Sequence, residues 1–220
     1  KYRRVTESSG RTPFFLEPTH PKFYVDAWAG AGFQPFAEFH SASMPPQSEE
    51  DPRLERVKLR MESVGVRIRN LRLDDFEADL RRLYSVARIS FAENLLYTPI
   101  SEADFVAMYQ PIRAYVKPEF VWLAEQDARC VGFCFCVPDL LQAQLGKEVD
   151  SLIVKTLATL PDRDFAGLGL WLTQLAHQQA SQAGFKSVIH ALMHPGSRIK
   201  HFGKGSMEIF RRYTLFQHQD

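Results

Sequence analysis

The chain has 220 residues, 45% of them hydrophobic and 12% aromatic, enough to bury one good core and part of a second. With 27 Lys and Arg against 26 Asp and Glu, its charge gives no electrostatic case for binding nucleic acid or an anionic membrane. No apolar run approaches a membrane span and the start has no signal-peptide pattern, so a cytoplasmic location is the default expectation.

Opening on Lys1 rather than Met, the chain reads as a processed form or a piece of a longer protein. Residues 2–7 read as a strand and residues 21–32 as a short helix ending at Gly30 or Gly32. Residues 33–43 read as a second strand, with Phe33 and Phe39 in its apolar content and Pro35 holding it at a sheet edge. Residues 45–50, polar, acidic and proline-bearing, form a linker. Asp51 and Pro52 then suit an N-cap and a first helical position, and Leu54, Val57, Met61 and Val64 follow at helical spacing. The division expected is therefore residues 1–45 as a partial unit or N-terminal extension, 46–63 as linker and connecting helix, and 64–220 as the main domain.

Val66, Arg67, Ile68 and Arg69 alternate as a strand. In the helix that follows, capped by Asp74 or Asp75, Phe76, Leu80, Leu83, Tyr84, Ala87 and Phe91 form one apolar stripe, with Arg81 and Arg82 turned to solvent. Ser101 with Asp104 resembles a capping box and opens a helix through Tyr109. Residues 120–124 and 130–137 are strands around the polar turn Glu125-Gln126-Asp127. Cys130, Cys134 and Cys136 share parity on one strand, and no histidine follows at zinc-ligand spacing. They read as reduced core residues, a reactive thiol being the alternative.

The stretch from residue 152 to 180 changes period in its middle. Residues 152–160 are apolar and β-favouring, bounded by Pro161 and Asp162. From Leu168 the residues Leu168, Trp171, Leu172, Leu175, Ala176 and Ala180 make a helical stripe, Gln174, His177, Gln178 and Gln182 take the other face, and Gly184 closes the helix. Between strand and helix, Gly167 and Gly169 let a ligand approach backbone N–H groups at the positive end of a helix dipole, which suits a phosphate. The alternative is a plain tight turn. Residues 187–193 are a β-rich run that a strand-helix-strand crossover would place parallel to residues 152–160, and residues 210–217 close as a last strand.

Strand, two helices, hairpin, central strand, glycine loop, helix: from residue 64 to 218 this order resembles the GNAT N-acetyltransferase superfamily. Gly167 and Gly169 match the small positions of its motif, Gln or Arg, two residues, Gly, one residue, Gly or Ala. Asp164, with Arg163 before it, stands where that motif has Gln or Arg. The helix, glycine, Phe and strand of residues 21–43 also resemble the closing segment of such a domain. The resemblance implies an α/β (α+β) fold, a mixed, mostly antiparallel sheet with two splayed parallel central strands and flanking helices. It implies acetyl-CoA as co-substrate and no metal. The phosphates would lie on the backbone of Arg163, Asp164, Phe165, Ala166, Gly167, Leu168 and Gly169, and the acyl arm on that of Leu157, Ala158 and Thr159.

The activity so implied is N-acyl transfer, most simply of acetyl, to an amine on a small molecule or peptide. It needs a base for the amine and an acid for the departing thiolate. Many members use a Tyr and an Asn after the second splayed strand, and between Pro195 and Arg212 this chain has neither. It offers His194, Ser197, His201 and, later, Tyr213. His190 is a candidate base or relay, against a core histidine, and His201 a candidate acid, against a solvated or phosphate-facing helix beside Arg198, Lys200 and Lys204. Tyr213 is a candidate against a packing role. Glu93, with Asn94 beside it, is a candidate base at the acceptor pocket, against a merely solvated carboxylate. Phe91, Tyr97, Tyr109 and Tyr115 would make that pocket aromatic, or serve the core. A non-catalytic module that binds acyl-CoA or a protein is the second reading, and an α/β nucleotide-binding protein the third. Against the third, no Lys-Ser or Lys-Thr pair follows the glycines, and the third glycine of a dinucleotide fingerprint is missing. A homodimer is an assembly open to such a chain.

Overall fold

The structure, a computed structural model, describes residues 3–194, 202 and 207–218. The chain begins with strand β1 (Arg4–Ser8), helix α1 (Tyr24–Gly30), β2 (Phe33–Met44), α2 (Leu54–Ser63) and β3 (Arg67–Asn70). Helices α3 (Phe76–Ser90) and α4 (Glu102–Tyr109), strands β4 (Val121–Gln126) and β5 (Arg129–Pro138) and helix α5 (Leu140–Gln144) follow. Then come β6 (Ser151–Thr159), α6 (Leu168–Gln182), β7 (Ser187–Met193) and β8 (Glu208–His218). The fold is mixed α/β with an eight-stranded, mostly antiparallel sheet. One unit comprises residues 1–46, 138–153 and 184–220, the other residues 47–137 and 154–183.

In the first unit the strand order is β1-β8-β2-β7, with antiparallel pairing throughout. Pro35 does not hold its strand at an edge, because β2 lies between β8 and β7. The proline is tolerated because β2 pairs with β8 from Phe33 onward but with β7 only from His40, and the register slips between Pro35 and Ala37. Phe39, Tyr213 and Leu215 form a buried cluster on which Val5, Ala37 and Leu192 pack. Glu17 is buried with its carboxylate accepting from Tyr213 Oη at 2.5 Å, Arg211 Nε at 2.9 Å and the Phe14 N–H at 3.1 Å. The buried carboxylate of Asp139 accepts the Phe15 N–H at 2.8 Å, so two carboxylates pin the segment between β1 and α1. Helix α5, five residues long, is too short to show a periodic stripe and was not legible in the sequence.

In the second unit the order is β6-β5-β4-β3. The α3 stripe buries Phe76, Leu80, Leu83, Val86 and Ala87 and, among them, Asp79. Arg82 does not look to solvent: it donates to Asp79 at 2.7 Å and to Asp75 at 3.3 Å. Arg69 gives two hydrogen bonds to Asp79 and two to Glu125, so one charged cluster ties β3 to α3 and β4. The capping box forms, with the Asp104 N–H donating to Ser101 Oγ at 3.1 Å. The β4–β5 hairpin turns through Asp127 and Ala128, both at positive φ, as a type I′ connection requires.

All three cysteines are buried with free thiols; burial pushes Cys130 up to about 12 and holds Cys136 well above the ordinary thiol range. All three sit in the core, where the sequence placed them. The polar face of α6 is turned to solvent only in part: Gln182 is exposed and Gln178 half-buried. Gln174 and His177 are buried, the Gln174 amide donating to the carbonyls of Gln47 and Glu49, and His177 Nδ1 accepting the Gln47 N–H. The linker is thus strapped to α6 by backbone groups that needed buried partners.

Candidate functional site

Three features of the sequence bring the end of β6 and the start of α6 together within the second unit. The Leu160 N–H donates to the Val131 carbonyl at 2.8 Å, carrying the pairing with β5 to the last residues of the strand. Gly132 of β5 permits this closeness, because a Cβ there would lie 2.9 Å from Leu168 Cδ2 and 3.2 Å from the Ala158 carbonyl oxygen. Asp162 then accepts the Asp164 N–H at 3.0 Å and starts a single 3-10 turn, Arg163–Phe165, which buries Phe165.

The chain enters α6 through Gly167, whose φ of +92° a side chain would strain. Among the described residues no side chain caps the helix, and the Gly167 carbonyl accepts the N–H groups of Leu170 at 2.9 Å and Trp171 at 3.2 Å. The N–H groups ahead of these carry the positive end of the helix dipole and have no side-chain cap among the described residues, the arrangement that favours an anion. Gly167 is not open on its Cβ side: a Cβ would lie 2.8 Å from Val57 Cγ2 and 3.2 Å from Arg60 Nη2. The α2 helix thus brings a guanidinium to the loop, a residue sequence spacing could not single out. At Gly169 a Cβ would meet Leu157 Cδ2 at an ordinary 3.7 Å.

Arg163, Asp164 and Ala166 are exposed, whereas Leu168 is a buried anchor that could offer a ligand only its backbone. Of the residues expected to hold the acyl arm, Ala158 is buried, and the Thr159 carbonyl accepts Ser90 Oγ from the last residue of α3 at 2.8 Å. That bond ties the end of α3 to the end of β6, and the exposed Glu93 and Asn94 follow in the connection that begins there. Ser90 was not foreseen, since nothing in its spacing marks it.

The catalytic candidates other than Glu93 belong to the first unit. His190 is fully buried on β7, and burial lowers its pKa to about 4, so it is neutral at physiological pH. Tyr213 is fully buried, and its hydroxyl, held by Glu17 and Ser41, is pushed well above its ordinary value first by burial and then by Glu17. That environment is one of packing. His194 is exposed beside Phe39, and His201 and Ser197 lie outside the described residues. Phe105 packs between Tyr84 and Tyr109, tilted against both with ring centroids at 5.5 and 4.6 Å, which gives Tyr109 a packing role, while Tyr115 is 61% exposed. Among the described residues no cluster of His, Cys, Asp and Glu is placed to hold a metal ion, and no helix is long and apolar enough to cross a membrane.

Neither a protein-family model nor a curated protein matches the sequence. Solved structures match by fold. A GCN5-related N-acetyltransferase from Sphaerobacter thermophilus aligns with a TM-score of 0.58 at 18% identity, covering 89% of this chain and 57% of its own. A GCN5-related glucosamine N-acetyltransferase region in a fungal multi-domain GH3 β-N-acetylglucosaminidase aligns at 0.61 and 13% identity, covering 90% of this chain and 23% of its own. This chain therefore spans 57% and 23% of the lengths of those two proteins. At these identities the likeness is one of architecture: the chain has the fold of the GCN5-related N-acetyltransferases.

Proposed function

We propose that the protein is an acyl-CoA-dependent N-acyltransferase that moves acetyl from acetyl-CoA to the amine of a small molecule or peptide. The observation that carries this reading is the uncapped, glycine-entered start of α6 directly behind the central strand β6, in a fold shared with N-acetyltransferases. The first-turn N–H groups of α6 would hold the pyrophosphate, with Arg60 supplying the positive charge that Asp164 does not. Backbone groups of Leu157, Ala158 and Thr159 would bind the pantetheine arm as an added strand. The amine nitrogen attacks the thioester carbonyl carbon, a C–N bond forms, the C–S bond breaks, and the thiolate takes up a proton. A backbone N–H aimed at the carbonyl oxygen would stabilise the oxyanion formed on the way.

A second reading, a module that binds acyl-CoA or a protein without turnover, is favoured by the burial of His190 and Tyr213, which removes both from contact with substrate. Calorimetric titration with acetyl-CoA tests the common step, and thiol release over a panel of amines separates the two readings. Gly169→Asp is the informative variant. An acidic residue in the first turn favours the helix but repels a phosphate, so acetyl-CoA affinity should fall at least about tenfold with no loss of thermal stability. Arg60→Ala should weaken acetyl-CoA about three- to tenfold and leave a pantetheine fragment unaffected. No acetyl-CoA binding by the folded protein, or equal binding by Gly169→Asp, would sink the proposal.

A further inference from the structure

Residues 91–97 join α3 to the rest of the second unit through two successive turns, the Asn94 N–H donating to the Phe91 carbonyl and the Tyr97 N–H to the Asn94 carbonyl, both at 2.9 Å. In the second turn Leu95 and Leu96 are the central residues. Leu96 takes a φ of +57°, a conformation for which Gly or Asn is the ordinary choice at that turn position. A leucine held there is strained, and it spends that strain on exposure: Leu96 is 57% and Leu95 40% accessible. Turn chemistry argues against a leucine at Leu96, and exposure argues against both, so neither explains them. In the first turn Glu93 is exposed and in no ion pair among the described residues. The Ser90–Thr159 hydrogen bond anchors this loop at the end of β6, where the acyl group would be delivered.

We propose that the acceptor taken at this loop is a primary amine carrying an apolar chain, Glu93 holding the ammonium group and Leu95 and Leu96 the chain. The inference rests on the acyl-transfer reading above. The bound ammonium loses one proton to solvent, the neutral nitrogen attacks the thioester carbon, and the second proton it sheds balances the one taken by the thiolate. A polar sugar amine would leave the leucines in water and gain nothing from them, whereas an alkylamine covers them.

The test is a series of propylamine, butylamine, pentylamine and hexylamine against glucosamine and the matching alcohols. Binding is followed by ligand-observed NMR and transfer by thiol release from acetyl-CoA. Affinity and kcat/KM should rise roughly twofold to threefold per methylene, since complete burial of one is worth about fourfold. Leu96→Asn, which suits the left-handed backbone, should flatten the series without loss of thermal stability. Glu93→Gln should weaken every amine about threefold and leave the alcohols unchanged. Affinity independent of chain length, a slope unaltered in Leu96→Asn, or preference for glucosamine would overturn the inference. Acetyl-CoA calorimetry on the same preparation separates the two levels. Acetyl-CoA binding without alkylamine preference sinks only the acceptor class, and absence of acetyl-CoA binding sinks the transfer reading itself.

Discussion

Asp79 shows how one residue can set the acid limit of a unit. It is fully buried on α3, and its carboxylate meets Arg69 at 2.7 Å, Arg82 at 2.7 Å and the Arg72 N–H at 2.9 Å. Burial is the largest influence and acts to raise its pKa, but the hydrogen bonds and charge of Arg69, with those of Arg72 and Arg82, outweigh it together and leave the carboxyl below its ordinary value. A depressed carboxylate contributes stability that is complete above its unfolded pKa, about 4, and is lost as the pH falls through the folded value. Asp79→Asn leaves Arg69 and Arg82 short of a buried anion, and denaturant titration at pH 7 should show a loss of about 3 kcal/mol. Repeated down to pH 3, the difference between the two proteins should shrink. A constant difference would mean that Asp79 acts through shape alone.

At the scale of single elements, the β4–β5 turn runs through Asp127 and Ala128 at φ of +49° and +63°, the second without the glycine that a type I′ turn prefers. Ala128→Gly relieves a left-handed alanine at about 1–2 kcal/mol while adding freedom to the unfolded chain, for a net gain of about 0.5–1 kcal/mol. The thermal midpoint should rise by about 2 °C, and a fall would show that the alanine methyl packs usefully. The strands around this turn were legible because cross-strand apolar content and the polar turn agree. So were α3, α4 and α6, whose stripes or caps are local. What was not legible is tertiary. Gln174 and His177 read only as the polar face of α6, because a stripe cannot reveal that the chain's own linker will cover that face. Gly132 carries no sequence mark, yet it lets β6 and Leu168 converge. Gly167 and Gly169 were legible as a junction, but Arg60, more than 100 residues earlier, was not.

Over the whole molecule the main lesson concerns residues 1–46, whose place only strand order reveals. β2 pairs with β8 from Phe33 to Ser43 and with β7 from His40 to Met44, and β1 covers the other side of β8. Sequence pattern shows that such strands exist; it carries no signal for pairing with a strand some 170 residues away, and such distant closures make folding slow. Buried polar links repeat the dependence, since Glu17 satisfies Arg211 and Tyr213, and Ser41 accepts the Leu192 N–H at 3.0 Å. A chain beginning at residue 47 should therefore lose the first unit, leaving β7 and β8 without the strand that lies between them and Arg211 without its carboxylate. Amide exchange should show β7 and β8 unprotected in the truncated chain, with protection restored when residues 1–46 are added as a separate peptide. Protection of β7 and β8 without that peptide would mean that the two strands pair directly, and that β2 is an insertion into a sheet able to close on its own.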